Sequence, residues 1–456
     1  MAQKKISAWR YLRHLWNSQD IRRKLLITLG ILALYRLAAN VPAPGVNAEA
    51  LAQLAGSATS GFMGFLDLLS GGTISNFSLL SMGVYPYITA QIILQLLVPI
   101  IPALQRRMEE DPREGRKWME KWTYYLAVPM AALSAFGQIS LFNSYLQTPV
   151  VEFGFTADKW LPSLATLVAM TAGTMFAIWL GELISEYGIR GQGLSLVIFS
   201  GIVARMPQSL GGLLSDKTYG PYLLAAMVVI LLFTIFAIVY VQQGRRNVPV
   251  MYPGRRMGNR MSMPVKGSLP LMVNMAGMIP LIFASALLQF PVIVASWFIN
   301  SQTGWVASAA NWVSVNLSGN SNGWLYWLMY FVMVVAFTFF YTTVLFDQQN
   351  YGENLKRVGA QIPGVNRGAP TQKYLKRVQS LITLPGALFL GFVAIMPYLL
   401  TLAMSLFGVT TASSSAGLLL VSSSGLLIVV GVVKDTFMNI EAELKLHGYE
   451  DTLLVK

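Results

Sequence analysis

The chain has 456 residues, of which 54% are hydrophobic and only 12% charged, with a formal net charge of +13. A soluble protein of this composition would expose very large apolar patches, so the chain reads as a membrane protein. The absence of cysteine excludes disulfides, thiolate catalysis and cysteine metal sites. The only histidines, His14 and His447, lie in the two tails, which argues against a buried imidazole site. No GxxxxGK[ST] phosphate loop occurs, so the chain carries no Walker-type ATPase of its own. No metal and no cofactor are expected.

Stretches of roughly twenty apolar residues, each about long enough to cross a bilayer core, alternate with loops that are by turns very basic and nearly uncharged. A tail over residues 1–24 holds Lys4, Lys5, Arg10, Arg13, Arg22, Arg23 and Lys24. The first span, near 25–41, resembles the core of a cleavable signal peptide. Its long basic flank and Arg36 favour a first membrane anchor instead. Further spans are expected near 77–101, 122–142, 161–181, 193–214, 221–241, 268–298, 324–346, 381–402 and 415–438, followed by a tail over 439–456. The loops at 105–121, 244–267 and 346–378 each hold six basic residues, Arg190 lies in another, and Lys434, Lys445 and Lys456 lie near the C-terminus. Elsewhere only Arg36, Lys159, Arg205 and Lys217 occur. Positive charge marks the cytoplasmic side, so both termini are expected there.

Ten crossings place five in each half, 25–214 and 215–438. Two similar halves of five would be inserted in opposite senses, an inverted pseudo-symmetry inferred from parity alone. The expected fold is therefore an all-α polytopic membrane protein of ten transmembrane helices. One apolar segment, GFMGFLDLLSGGTISNF at 61–77, is too short to cross and breaks at Gly71–Gly72. It reads either as a short re-entrant helix shielded from lipid or as a helix on the outer interface. No span carries a central Asp, Glu, Lys or His, which counts against an ion-coupled transporter.

Five stretches carry a family resemblance. GVYPYITAQIILQLL (83–97), GELISEYGIRGQGLSLVIFSGIVARMP (181–207), LPLMVNMAGMIPLIFASALLQFP (269–291), YTTVLFDQQNYGENLKRVGAQIPGVNRGAPTQKYLKRV (341–378) and SGLLIVVGVVKD (424–435) resemble, in order and spacing, the bacterial SecY family. These are the central subunits of the Sec protein-conducting channel.

The resemblance implies an hourglass pore narrowed by aliphatic side chains. The ring would comprise Val84, Ile88, Ile198, Ile282 and Ile428, with Leu194 and Ile279 as neighbours. The spacings Val84/Ile88, Leu194/Ile198 and Ile279/Ile282 put each pair on one helix face. A hydrophobic constriction resists wetting yet grips a passing polypeptide weakly. By the same resemblance, residues 61–77 form a plug, with Phe65, Leu66, Asp67, Leu68, Leu69, Ser70, Gly71 and Gly72 at its core. A lateral gate would open between spans two and three and spans seven and eight, where Gln95 and Asn274 match polar positions and either face each other or each satisfy a nearby backbone carbonyl. A hydrogen bond between them would be worth roughly 0.5–1.5 kcal/mol.

Arg255, Arg256 and Arg260 in one loop, and Lys356, Arg357, Arg367, Lys373, Lys376 and Arg377 in the other, are expected to dock a SecA-like motor ATPase or the ribosome. One departure is visible: the family pattern PGIRPG reads PGVNRG here, so the arginine moves from position 366 to Arg367. SecE-like and SecG-like membrane subunits, signal sequences, unfolded secretory chains and membrane lipids complete the expected partners. The implied function is passage of secretory polypeptides across a bacterial plasma membrane, with lateral release of hydrophobic segments and no chemistry in this chain. The rivals are a secondary transporter, which would need a polar midplane site, and a non-conducting scaffold, for which the breaks near Pro86, Gly277 and Pro280 serve no purpose.

Overall fold

The computed structural model describes residues 19–47, 77–145, 149, 151, 153–154, 159–191, 193–214, 220–253, 256–257, 260–261, 265–298, 304–317, 324–406 and 427–440. Helix α1 spans Gln19–Ala38, with Asp20 in its first turn and Arg36 in its last, charges that complement the helix dipole. The chain then runs past Val41, where backbone bonds tie it to a later segment: the Ala43 N–H donates to the Phe77 carbonyl and the Leu79 N–H to the Val41 carbonyl, both at 3.0 Å. Phe77 is fully buried and adopts a left-handed φ of 41°, an uncommon conformation for a bulky residue.

Helix α2 (Tyr85–Ile100) starts with a proline in its first positions, where a missing N–H costs nothing. The expected span began at 77. Residues 77–84 form turns instead, because their donors and acceptors are committed to the segment after α1 and to Gln138, which accepts from the Ser81 hydroxyl at 3.3 Å. At Ile101 the chain bends by 94° into α3 (Pro102–Glu110). The Asp111 carboxylate then accepts the Arg113 and Glu114 N–H groups at 3.0 and 3.2 Å and so caps α4 (Pro112–Tyr145). The basic stretch at 105–121 is thus helical along most of its length.

Helices α5 (Trp160–Tyr187), α6 (Gly193–Leu214) and α7 (Gly220–Gln243) follow. The next basic loop contains four strands: β1 (Arg245–Tyr252), β2 (Arg256–Met257), β3 (Arg260–Met261) and β4 (Val265–Met272). β1 and β4 pair antiparallel with Val248 opposite Leu269 and Val250 opposite Gly267, and β2 pairs with β3 at the tip. The expected span at 268–298 is therefore shortened. Residues 268–272 are spent on this ladder, Gly277 turns at φ +64°, and α8 covers only Ile279–Phe298.

Then come α9 (Gly304–Leu317), α10 (Trp324–Gln348), α11 (Tyr351–Arg357) and α12 (Ala369–Leu406), and residues 427–440 form a last helix, α13. Among the described residues, Trp160–Tyr187, Trp324–Arg357 and Ala369–Met396 are long and apolar enough to cross a membrane unaided.

Helix α4 packs on α2 and α5, and α5 on α1 and α6. In the second group α10 packs on α8 and α12. The groups meet where α8 touches α2 and α4. Three apolar clusters result. One is built on α1, α2, α5, α6 and α13, and a second on α4, α8, α10 and α12. A third, smaller one lies at the basic end between the β1–β4 hairpin, α11 and the start of α12.

Candidate channel constriction and basic docking face

The constriction starts from two broken helices. Val84 is the residue immediately before α2, and its carbonyl accepts the Ile88 N–H at 3.2 Å. Ile279 is the first residue of α8, and Ile282 follows one turn later. Leu194 and Ile198 lie on α6. This helix crosses α5 so closely that a Cβ at Gly193 would collide with the Gly181 carbonyl, while one at Gly181 would lie 2.7 Å from Leu194 Cδ2. Glycine at both positions lets the backbones approach, and that approach fixes where Leu194 sits. Ile428 lies near the start of α13.

Val84, Ile198 and Ile428 share one cluster, with Ile88 and Leu194 packed against it. Ile279 and Ile282 are not members of it, although Ile282 is buried. The first turn of α8 instead sends Leu281 and Ala284 into the second cluster. Met278, just before α8, packs against both clusters and lies beside Gly431 on α13, where an added Cβ would be 3.8 Å from its Sδ. Sequence reasoning missed Met278 because it lies one residue ahead of the aliphatic pair. Val84, Ile198, Ile282 and Ile428 are exposed by only 2–6%, so at these side chains the protein is packed shut. A contact made solely of aliphatic carbon can part without stranding a hydrogen-bonding group.

At the seam between the two helix groups, Asn274 takes the second of the two expected arrangements, a bond to a nearby backbone carbonyl. The Asn274 Nδ2 donates to the Gly277 carbonyl at 3.0 Å, and its Oδ1 is buried without a partner. It thus braces the turn into α8 rather than reaching Gln95. The Gln95 side chain on α2 instead lies within reach of the Tyr341 hydroxyl on α10. Nearby, the Tyr330 hydroxyl donates to the Leu281 carbonyl at 3.5 Å, and Phe283 and Phe337 meet edge-on with ring centroids 4.2 Å apart.

Arg36 donates to the Gly201 carbonyl on α6 at 3.4 Å. The plug core, Phe65 to Gly72, lies outside the described residues.

At the basic end the two basic loops form one body. Met251 on β1 and Gln361 exchange backbone hydrogen bonds of 2.8 and 2.9 Å, and Val248, Val250, Leu271, Phe346, Leu355, Ile362 and Leu375 form the core beneath them. Gln372 Oε1 accepts the Gly352 N–H at 2.8 Å, which ties α11 to α12. Lys356, Arg357, Arg367, Lys373 and Arg377 are exposed here. Arg357 pairs with Glu353 at 3.4 Å, and Lys376 with Asp347 at 2.7 Å. In the PGVNRG turn, Gly364 and Gly368 both take left-handed φ values, 80° and 91°, which place Arg367 in solvent between them. Arg256 and Arg260 occupy the β2–β3 tip, and Arg255 lies outside the described residues.

Comparisons with known proteins bear on the family and the fold. The SecY family model matches residues 78–437. The protein translocase subunit SecY of Streptomyces griseus is 37% identical over 449 residues, covering 96% of this chain and 98% of the relative. SecY of Mycobacterium bovis is 37% identical over 441 residues, covering 95% and 97%. Among solved structures, a protein-conducting channel superposes with a TM-score of 0.57 at 17% identity, covering 97% of this chain and 95% of that one. Canine Sec61, from a ribosome–channel complex, superposes at 0.54 with the same identity and coverage. Sequence relationship along nearly the whole chain, together with the shared channel fold, places it in one group: this chain belongs to the SecY family.

Proposed function

We propose that this chain is the central subunit of a protein translocase, a channel that passes unfolded secretory polypeptides across the membrane. The observation that carries the reading is the aliphatic cluster in which Val84, Ile198 and Ile428 are buried together from three helices, with Ile88 and Leu194 packed against them, in a chain of this family. A greasy constriction dewets and so holds back ions, while its side chains can slide over any passing sequence. Ile279 and Ile282 would complete the ring when α8 moves relative to α2 and α6.

Lateral release is proposed along the seam where α8 and α10 meet α2 and α4. There Gln95–Tyr341 is a latch weak enough for a hydrophobic signal sequence to displace, and Asn274 stiffens the turn that α8 pivots on. Residues 65–72 are proposed as the plug, and the spans over 25–214 and 215–438 as the two halves of the clamp. The basic end faces the cytoplasm of a bacterium in this reading, with both termini there and the plasma membrane as host. Its fused loops would dock a SecA-like motor ATPase or the ribosome, which supplies the energy that this chain lacks. Arginine suits both rRNA phosphates and acidic protein surfaces through its planar set of donors. SecE-like and SecG-like subunits would surround the clamp.

The test replaces Ile88 and Ile198 together with serine and records ion current across a planar bilayer holding the complex. A clear rise in resting conductance is expected. Current indistinguishable from the parent would remove these side chains from the constriction.

A further inference from the structure

Helix α9 serves neither the constriction nor the basic face. It joins the end of α8 to the start of α10, and both of those helices have their other ends at the basic face, so α9 lies at the opposite side of the membrane. Fourteen residues span about 21 Å, too short to cross. One face, with Ala310, Ser314 and Leu317, is buried against the fold, and Val313 and Leu317 join the second cluster. The opposite face shows Trp305 (79% exposed), Trp312 (57%) and Val315 (61%). These positions lie seven and three residues apart, which places them on one side of a helix.

Two further observations identify the covering material. No charged residue and no histidine occurs anywhere from Gly267 to Phe346, so the face offers nothing for an ionic partner. Three of the four polar side chains of α9 bond to their own backbone, leaving Asn311 as the exposed exception: Ser308 donates to the Gly304 carbonyl at 2.8 Å, Ser314 to Asn311 at 2.9 Å, and the Asn316 amide to Trp312 at 2.9 Å. Self-satisfied donors beside two exposed indoles suit a low-dielectric boundary better than water. Phe298 at the end of α8 and Trp324 at the start of α10, the helix ends that α9 joins, are also exposed, and such aromatic residues concentrate where headgroups meet acyl chains.

We infer that α9 lies flat in the outer leaflet, with Trp305, Trp312 and Val315 sunk to the headgroup–acyl boundary. The surface is thereby an uncharged lipid anchor that holds the outer ends of α8 and α10 at a fixed depth. This rests on the membrane reading of the fold and not on conduction, so failure of one leaves the other standing.

The natural absence of cysteine permits a direct test. Single-cysteine variants Trp312→Cys and, should that one misfold, Val315→Cys are nitroxide-labelled in the full chain with its partner subunits. The complexes are reconstituted in phosphatidylethanolamine–phosphatidylglycerol vesicles. Collision with oxygen and with a water-soluble nickel chelate is compared with a label at Asn247, an exposed site on β1. The expected oxygen-to-nickel ratio is several-fold higher on α9 than at Asn247, and unchanged by added salt. A ratio equal to that of Asn247 would put the face in water and overturn the inference. Low collision with both reagents would show a protein covering it, which overturns it equally.

Discussion

The centre of the fold and its basic end are held together by different means. At the constriction, α2, α6 and α13 meet through aliphatic side chains with few hydrogen bonds between them, and the neighbouring helices approach at glycines. At the basic end, a hairpin, two backbone bonds between Met251 and Gln361 and side-chain ties such as Gln372 to Gly352 lock two loops onto a small core. Aliphatic contacts are non-directional and can slide or part, whereas a hydrogen-bonded ladder has one register and resists displacement. The proposed channel, opening in the middle while gripping a partner at one end, would need this division.

Perturbations break the contrast in order of severity. The largest effect is expected from Gly193→Val, which drives a side chain into the Gly181 backbone. Overpacking there should cost about 3 kcal/mol, read as a lower unfolding midpoint of the purified complex, whereas an unchanged midpoint would mean that α5 and α6 do not pack as described. Next, Gln361→Pro removes the donor to Met251 and should release the two loops from each other. Loss of that bond costs about 1 kcal/mol, and hydrogen exchange should rise selectively in β1 with the membrane helices unaffected. Uniform exchange across the chain would show the loops to be independent already.

Tyr341→Phe removes the latch to Gln95, worth roughly 0.5–1.5 kcal/mol. It should let precursors with weakened signal sequences through several-fold more often, measured as exported reporter. No gain in export would deny the seam its role. The smallest effect belongs to Arg357→Gln. Its pair with Glu353 is 74% and 62% exposed, so stability should change by less than about 0.5 kcal/mol even if partner binding falls.

The same contrast explains what the sequence revealed. Apolar runs located the membrane helices because lipid imposes length and hydropathy on each one separately. The members of the proposed constriction could be named from family-like stretches, yet the placement of Ile279 and Ile282 outside the shared cluster could not, since it depends on where α8 begins and how it is rotated. The hairpin was concealed by its arginines and prolines, although alternation in Val248–Pro249–Val250 on one strand and in Leu269–Pro270–Leu271 on the other carried a period-two signal. The partner of Gln95 could not be read at all. Tyr341 is far away in sequence, and only the packing of α10 brings it near. Asn274 illustrates the converse: a polar residue at a seam serves its own turn.

The most direct test of the central claim is to place a photoreactive residue at Ile88 and stall a secretory precursor in mid-passage. An adduct that depends on the signal sequence would put the polypeptide within the aliphatic cluster, as the proposed channel requires. Adducts confined to the fused basic loops, with none at Ile88, would show that the chain docks partners without conducting, and would contradict it.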